Sequence, residues 1–227
     1  MRQQPVAGSP GRFITFEGGE GSGKSTQAAS LAEVLERRGV PVLLSSEPRG
    51  TEFGRGAWQL LASGVAPESE LFLFVAARAH HVRTLIQPAI AAGKVVICDR
   101  YSDSTVAYQE FGRGLDGDLV RRACAYAEGG VQPDLTFLLD LPADAGLRRK
   151  GKAANDDAIS AAGLAFHERV RAGYLALARE DPARIGVIGA GGSREDTAAA
   201  VLGGAEAILQ TREQGDPGVD ERSRAEG

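Results

Sequence analysis

Short apolar runs alternate along the chain with longer stretches whose apolar residues recur at helical spacing. Phe13–Glu17 is the first run, β-prone and ended by the pair Gly18–Gly19, and it predicts a buried strand. From Gln27 the period changes: Ala28, Leu31, Ala32 and Leu35 share one helical face, and Arg37, Arg38 and Gly39 close the helix with a basic last turn and a C-cap glycine. Val40–Leu44 predicts a second strand that runs into the turn Ser46–Thr51, followed by a helix containing Trp58, Leu60 and Leu61. Pro67–Ala92 reads as mainly helical, and Lys94–Cys98 as a third strand that passes directly into Asp99-Arg100-Tyr101. A helix begins over Ser102–Gln109, Gly112 and Gly114 break it, and another is predicted near Asp118–Glu128. Leu135–Leu141 is a fourth strand, and Ala145–Arg149 opens a helix. Leu164–Ala178 carries Phe166, Val170, Tyr174 and Leu177 on one stripe. Ile185–Ile188 and Arg194–Thr211 complete the pattern as a last strand and a terminal helix. Alternating strands and helices imply an α/β fold, a five-stranded parallel sheet covered by helices on both faces.

The segments without pattern set the boundaries. Residues 1–11 carry Pro and Gly without periodicity and read as a disordered lead; residues 213–227 are polar and charged and read as a disordered tail. One domain over 12–212 remains, without repeats. Within it, residues 148–162 are basic, then small and polar, the composition of a short mobile lid. A chain of 227 residues buries one sizeable core. A net charge of −4 argues against a nucleic-acid polymer as partner, which calls for a basic face. Cys98 and Cys124 lie in apolar and helical patterns and read as packing thiols, and His80, His81 and His167 lack metal-ligand spacing. With no apolar signal region and no run of membrane-spanning length, the expectation is a soluble, cytoplasmic protein without a membrane partner.

The chemistry begins at Gly18–Ser25, which matches G-x-x-x-x-G-K-[ST] between a predicted strand and a predicted helix. A chance glycine-rich turn would lack those flanks. Gly18, Gly19, Glu20, Gly21, Ser22 and Gly23 would turn successive backbone N–H groups inward as an anion nest, at the positive end of the helix that Thr26 enters. Lys24 would reach the β- and γ-phosphates of ATP and the Ser25 hydroxyl would bind Mg²⁺. Asp99, at the end of the third strand, is the carboxylate placed to share that metal. The chain lacks the Asn-Lys-x-Asp motif of guanine-nucleotide switches. It supplies Arg49, Arg78, Arg100, Arg148 and Arg149 from separate segments, as transfer between two anions requires.

Taken in order, these motifs resemble bacterial thymidylate kinase, of the P-loop nucleoside monophosphate kinase family, over roughly residues 12–210. The stretches that carry the resemblance are the P-loop with its Glu20, the turn Glu47-Pro48 with Gly50-Thr51, Phe74-Val-Ala-Ala-Arg78, and Pro133-Asp134-Leu135 with Leu139-Asp140. The most specific is Asp99-Arg100-Tyr101 followed by Ser104, Ala107, Tyr108 and Gln109, similar to D-R-x-x-x-S-x-x-A-Y-Q. The resemblance implies ATP-dependent phosphorylation of dTMP with Mg²⁺ by a homodimer. It assigns Phe74 to stacking on thymine, and Arg78 and Gln109, with Thr105 beside them, to the polar edge of the base. Arg100 takes the 5′-phosphate, with Arg49 entering the same site from its turn. Tyr108 lies under the deoxyribose, and Glu20 approaches the 3′-hydroxyl or the metal. Asp99 acts on Mg²⁺ or orients the acceptor phosphate. The P-loop has no basic residue before Lys24, so the lid would supply the catalytic cation; Arg149 is best placed, with Arg148, Lys150 and Lys152 as neighbours.

The chain departs from the family pattern in three places. The lid run Asp157-Ala158-Ile159-Ser160 replaces Asp-Arg-x-Glu. Trp58 stands where the helix after the Glu-Pro turn usually carries an arginine, with Arg55 one turn earlier on a similar face. Ser46 replaces the arginine before Glu-Pro, while Arg49 enters the turn. Two alternatives therefore stand beside dTMP kinase: a paralogue acting on another pyrimidine deoxynucleotide, and a nucleotide-binding protein with weak or no transfer activity.

Overall fold

Five parallel strands make one sheet: β1 (Arg12–Glu17), β2 (Val42–Ser46), β3 (Val95–Asp99), β4 (Leu135–Asp140) and β5 (Ile185–Gly189), in the spatial order β2–β3–β1–β4–β5. The coordinates are a computed structural model that describes residues 11–151 and 162–214. Residues 1–10 of the sequence-predicted lead, the tail after Gln214, and the lid residues Lys152 and Asp157 to Ser160 lie outside the described residues; Gly11, placed in the lead, donates its N–H to Ile90 O at 2.9 Å. The helices are α1 (Lys24–Arg37), α2 (Glu52–Ala62), α3 (Pro67–His81), α4 (Gln87–Ala91), α5 (Ser102–Thr105), α6 (Gly117–Glu128), α7 (Ala143–Lys150), α8 (Leu164–Glu180) and α9 (Arg194–Gln214). α3 runs into α4, and α5 into its continuation, through π-helical segments at Val82–Ile86 and Val106–Gly112.

The strands read as unbroken apolar runs because both faces are covered. Their alternate residues feed opposite cores. Ile14, Phe16, Ile97, Phe137 and Leu139 meet Leu31 and Leu35 of α1 and Val201 and Ala205 of α9. On the other face Leu138 joins Leu71 of α3, Val120 of α6 and the α8 stripe Phe166, Val170, Tyr174 and Leu177, while Phe13, Val96 and Cys98 pack with Tyr101, Val82 and Ile86.

Two boundaries moved for physical reasons. β2 was expected from Val40, but Pro41 has no N–H to give the ladder, so pairing starts at Val42 and extends through Ser45 and Ser46, opposite Cys98 and Asp99. The terminal helix runs on past Thr211 to Gln214. The sheet carries β1 at its centre with chain reversing direction of winding on either side. In such sheets ligands bind beyond the carboxyl ends of the strands, where β1, β2 and β3 here deliver the P-loop, the Glu47 turn and Asp99-Arg100.

Candidate active site

The glycine-rich loop leaves β1 with its backbone in left-handed or glycine-only conformations at Gly18 (φ 139°), Gly21 (φ 67°) and Gly23 (φ 94°). A Cβ on Gly18 would come within 2.5 Å of the Leu139 carbonyl oxygen. No side chain caps the start of α1, so its first N–H groups stay available to an anion. Lys24 is buried and folds back onto the Gly19 carbonyl at 2.8 Å, and Ser22 Oγ donates to the same oxygen at 2.9 Å. Ser25 Oγ donates to Asp99 Oδ2 at the end of β3, while Asp99 Oδ1 is buried with no hydrogen-bond partner among the described residues.

β3 then turns sharply. Arg100 is the one described non-glycine residue with positive φ, at 74°. Its N–H donates to Phe16 O at 2.9 Å, and the next N–H, of Tyr101, donates to Glu17 Oε1 at 2.7 Å. This turn sends the guanidinium into a cavity of about 330 Å³ beside the P-loop. There it donates to Glu20 Oε1 at 2.9 Å and to Tyr108 Oη at 3.3 Å and lies 5.1 Å from the centre of the Tyr108 ring. Phe74 rests partly on the α8 core and partly on the cavity. Arg78 is fully buried at the cavity's floor: Nε donates to Glu47 Oε2 at 2.8 Å and Nη2 to Thr105 Oγ1 at 2.9 Å. Gln109 is fixed by donating to Glu70 Oε1 at 2.8 Å. Arg49 and Trp58 form the opposite wall, the guanidinium 5.3 Å from the indole centre. α7 closes the end next to the P-loop. Its Gly146 sits so close that a Cβ would come within 2.1 Å of Glu20 O, and one on Gly21 within 2.2 Å of Gly146 O. One helical turn on, Lys150 Nζ reaches Glu20 Oε2 at 2.8 Å.

A phosphate cradle opening beside a cavity with an aromatic face, a polar floor and several cations is the geometry of a nucleotide phosphotransferase. The profile described as "Thymidylate kinase" matches residues 16–201. The chain belongs to the thymidylate kinase family. It is 46% identical over 214 residues to the thymidylate kinase of Desulfovibrio desulfuricans, covering 89% of this chain and 99% of that protein. It is 49% identical over 202 residues to that of Solidesulfovibrio magneticus, covering 84% and 97%. The crystal structure of thymidylate kinase from Ehrlichia chaffeensis superposes with a TM-score of 0.71 at 36% identity, over 88% of this chain and 99% of that one. The fold class and the enzyme class, a phosphotransferase, follow from the family.

Against that family pattern the placement of the expected residues is uneven. Glu20, Arg49, Phe74, Arg78, Arg100, Thr105, Tyr108 and Gln109 all line the one cavity. Arg149 does not. Its guanidinium donates to the Ala190 and Gly191 carbonyls after β5, at 2.8 and 3.4 Å. Neighbouring helical residues point about 100° apart, so the turn that seats Gly146 on the P-loop aims Lys150 at the cavity and Arg149 away from it. Arg148 pairs with Asp144 at the surface. Arg55 is exposed and outside the cavity lining, so it does not replace an arginine at position 58. His81 is a packing residue, buried against Ser45 Oγ and Glu47. Sequence reasoning missed Glu17 and Tyr174, which with Ser104 brace Arg100, and the acidic partner Glu70; Ser104 and Glu47 stood in the motifs, but without their roles as partners of Arg100 and Arg78. A carboxylate ending an apolar strand, as Glu17 does, was the available signal.

Charge is concentrated here. Burial alone would raise the Glu20 carboxyl, but Arg100, Lys24 and Lys150 hold it well below the usual range. Burial, then repulsion by Arg100, lowers Lys24 to about 8. A bound polyphosphate favours the charged amine and so raises that pKa in the complex. With Lys24 on the phosphates of ATP, the expected outcome is an affinity fully present below about pH 8 that falls as pH rises above it. Calorimetric titration with ATP on both sides of that pH checks this; an affinity that is level across the range would contradict it, as would the same decline in Lys24→Arg, whose charge does not titrate there.

Proposed function

We propose that the site carries the ATP-dependent phosphorylation of dTMP to dTDP, a step of dTTP biosynthesis, with the P-loop residues Gly18–Thr26 holding ATP and the adjoining cavity holding dTMP. The observation that carries this is the shared carboxylate of Glu20. It belongs to the P-loop, yet it lines the acceptor cavity and bonds both Arg100 and Lys150, so donor and acceptor phosphates would meet across it. Phe74 offers a face for the thymine ring. Arg78, Thr105 and Gln109 offer polar groups already fixed by neighbours, which a base must match to avoid leaving them unpaired. Arg100 and Arg49 take the 5′-phosphate, and Tyr108 underlies the sugar. An acceptor monophosphate is itself an anionic nucleophile, so the site requires positioning and charge rather than a strong base.

Mg²⁺ fits the residues present. Ser25 Oγ and the unpartnered, buried Asp99 Oδ1 are hard oxygen donors beside the phosphate cradle. When bound, the ion would neutralise charge on the transferring phosphates. Few protein ligands are expected for a magnesium ion that shares its shell with phosphate oxygens; among the described residues no cluster of three or more His, Cys, Asp or Glu side chains is placed to hold a metal.

Lys150 is the lid-side cation best supported at the acceptor, and Arg149 at the loop after β5 is proposed to act from the donor side. A homodimer is supported by Phe53 and Leu60 on α2 and Phe72 on α3, large apolar side chains about half exposed on two helices packed together. A cytoplasmic setting is supported by two free, buried cysteines; among the described residues no helix is long and apolar enough to cross a membrane.

Two measurements test these readings. A coupled ADP-release assay across nucleoside monophosphates should give dTMP as the best acceptor, dUMP weaker and purine monophosphates very poor, with Lys24→Ala nearly inactive though folded. Preference for AMP or GMP would overturn the acceptor assignment. In sedimentation, wild type should run as a dimer and Phe72→Glu as a monomer; a monomeric wild type would remove the homodimer.

A further inference from the structure

The cavity's cations are not equivalent. Arg78 is paired with Glu47 at 2.8 Å, and Arg100 and Lys150 share Glu20 at 2.9 and 2.8 Å. Arg49 has no carboxylate and no hydrogen-bond acceptor among the described residues. Its contact is with Trp58, whose ring centre lies 5.3 Å from the guanidinium carbon. This stack is built rather than accidental. Thr51 Oγ1 accepts from Gly54 N at 3.0 Å and starts α2 directly after the turn that carries Arg49. Gly54 packs so tightly on that turn that a Cβ would lie 1.7 Å from Pro48 O. The helix is thereby locked to the turn, and Trp58, one turn further along, is held against Arg49.

We infer that Trp58 is the positioning residue for Arg49, and that the pair adds, beside Arg100, to the discrimination between a 5′-monophosphate acceptor and the bare nucleoside; this rests on the acceptor reading given above. The physical reason lies in what each partner takes from a guanidinium. A carboxylate occupies its N–H donors and cancels its charge, as Glu47 does for Arg78 and Glu20 for Arg100. An aromatic face attracts the cation through its quadrupole and leaves the in-plane donors free for an anion. Trp58 therefore fixes Arg49 while keeping its whole fork available for phosphate oxygens. Arg49 is exposed, so no core packing depends on it.

The test is direct binding to the full chain by calorimetry, with dTMP and thymidine as the probes. Arg49→Ala should weaken dTMP about tenfold or more and leave thymidine unchanged, the scale of one lost charge-assisted contact. Trp58→Leu should reproduce most of that loss and Trp58→Phe should recover most of it, as ring-dependent positioning demands. Trp58 is the chain's single tryptophan, so its emission in wild type should respond to dTMP more than to thymidine. Unchanged dTMP affinity in Arg49→Ala or Trp58→Leu would overturn the inference. So would an equal loss for dTMP and thymidine, which would put the pair on the base or sugar. Wild type that phosphorylates dTMP while both variants bind it normally would sink this inference alone; wild type that neither binds nor phosphorylates dTMP would sink the acceptor reading with it.

Discussion

A carboxylate buried at the end of the central strand holds the site in shape. Arg100 enters the cavity through a left-handed backbone that costs a non-glycine residue about 1–3 kcal/mol. Glu17, fully buried, stabilises that turn. Its Oε1 accepts from Tyr101 N at 2.7 Å, and its Oε2 accepts from Ser104 Oγ at 2.6 Å and Tyr174 Oη at 3.0 Å. Those two hydroxyls in turn receive Arg100 Nη1 at 3.2 and 3.4 Å. Burial, with the charge of Asp103 acting the same way, lifts the Glu17 carboxyl to about 7. One side chain thus joins β1, the turn after β3, α5 and α8 around the guanidinium assigned to the acceptor phosphate.

The second organising group, Glu20, sits where the P-loop meets the cavity. Arg100 and Lys150 converge on it from opposite elements, and Lys24 lies close enough to lower its pKa. A carboxylate among these cations keeps them together before any substrate phosphate arrives. The tight backbone contact between Gly21 and Gly146 makes α7 part of the same unit, seated on the glycine-rich loop.

How far the sequence carried depended on the kind of constraint. Five strands and the major helices were legible because a parallel sheet covered on both faces demands apolar runs such as Val95–Cys98, and because α8 needs one stripe, Phe166 to Leu177. The π-helical segments were not, because one extra residue in a turn leaves no compositional mark; Gly112, read as a break, closes such a segment where any Cβ would meet Phe166 at 2.7 Å. The residues now lining the cavity were legible through the order of their motifs. Which residues pair with them was not: Arg78 on Glu47 and Gln109 on Glu70 are long-range contacts, and Arg49 meets Trp58 only because of how α2 is set on the turn before it. Nor was it legible that α7 aims Lys150 at Glu20 and Arg149 at the carbonyls after β5, since that turns on where Gly146 touches the loop.

The most direct test of the Glu17 clamp is calorimetric binding of dTMP and ATP to Glu17→Gln, which keeps the side chain's shape but removes its charge and one acceptor. The expected result is a folded protein with ATP affinity close to wild type and dTMP affinity reduced, because Arg100 loses its brace while the P-loop is untouched. Wild-type dTMP affinity, or an equal loss for both nucleotides, would contradict the view that this buried carboxylate sets the acceptor site.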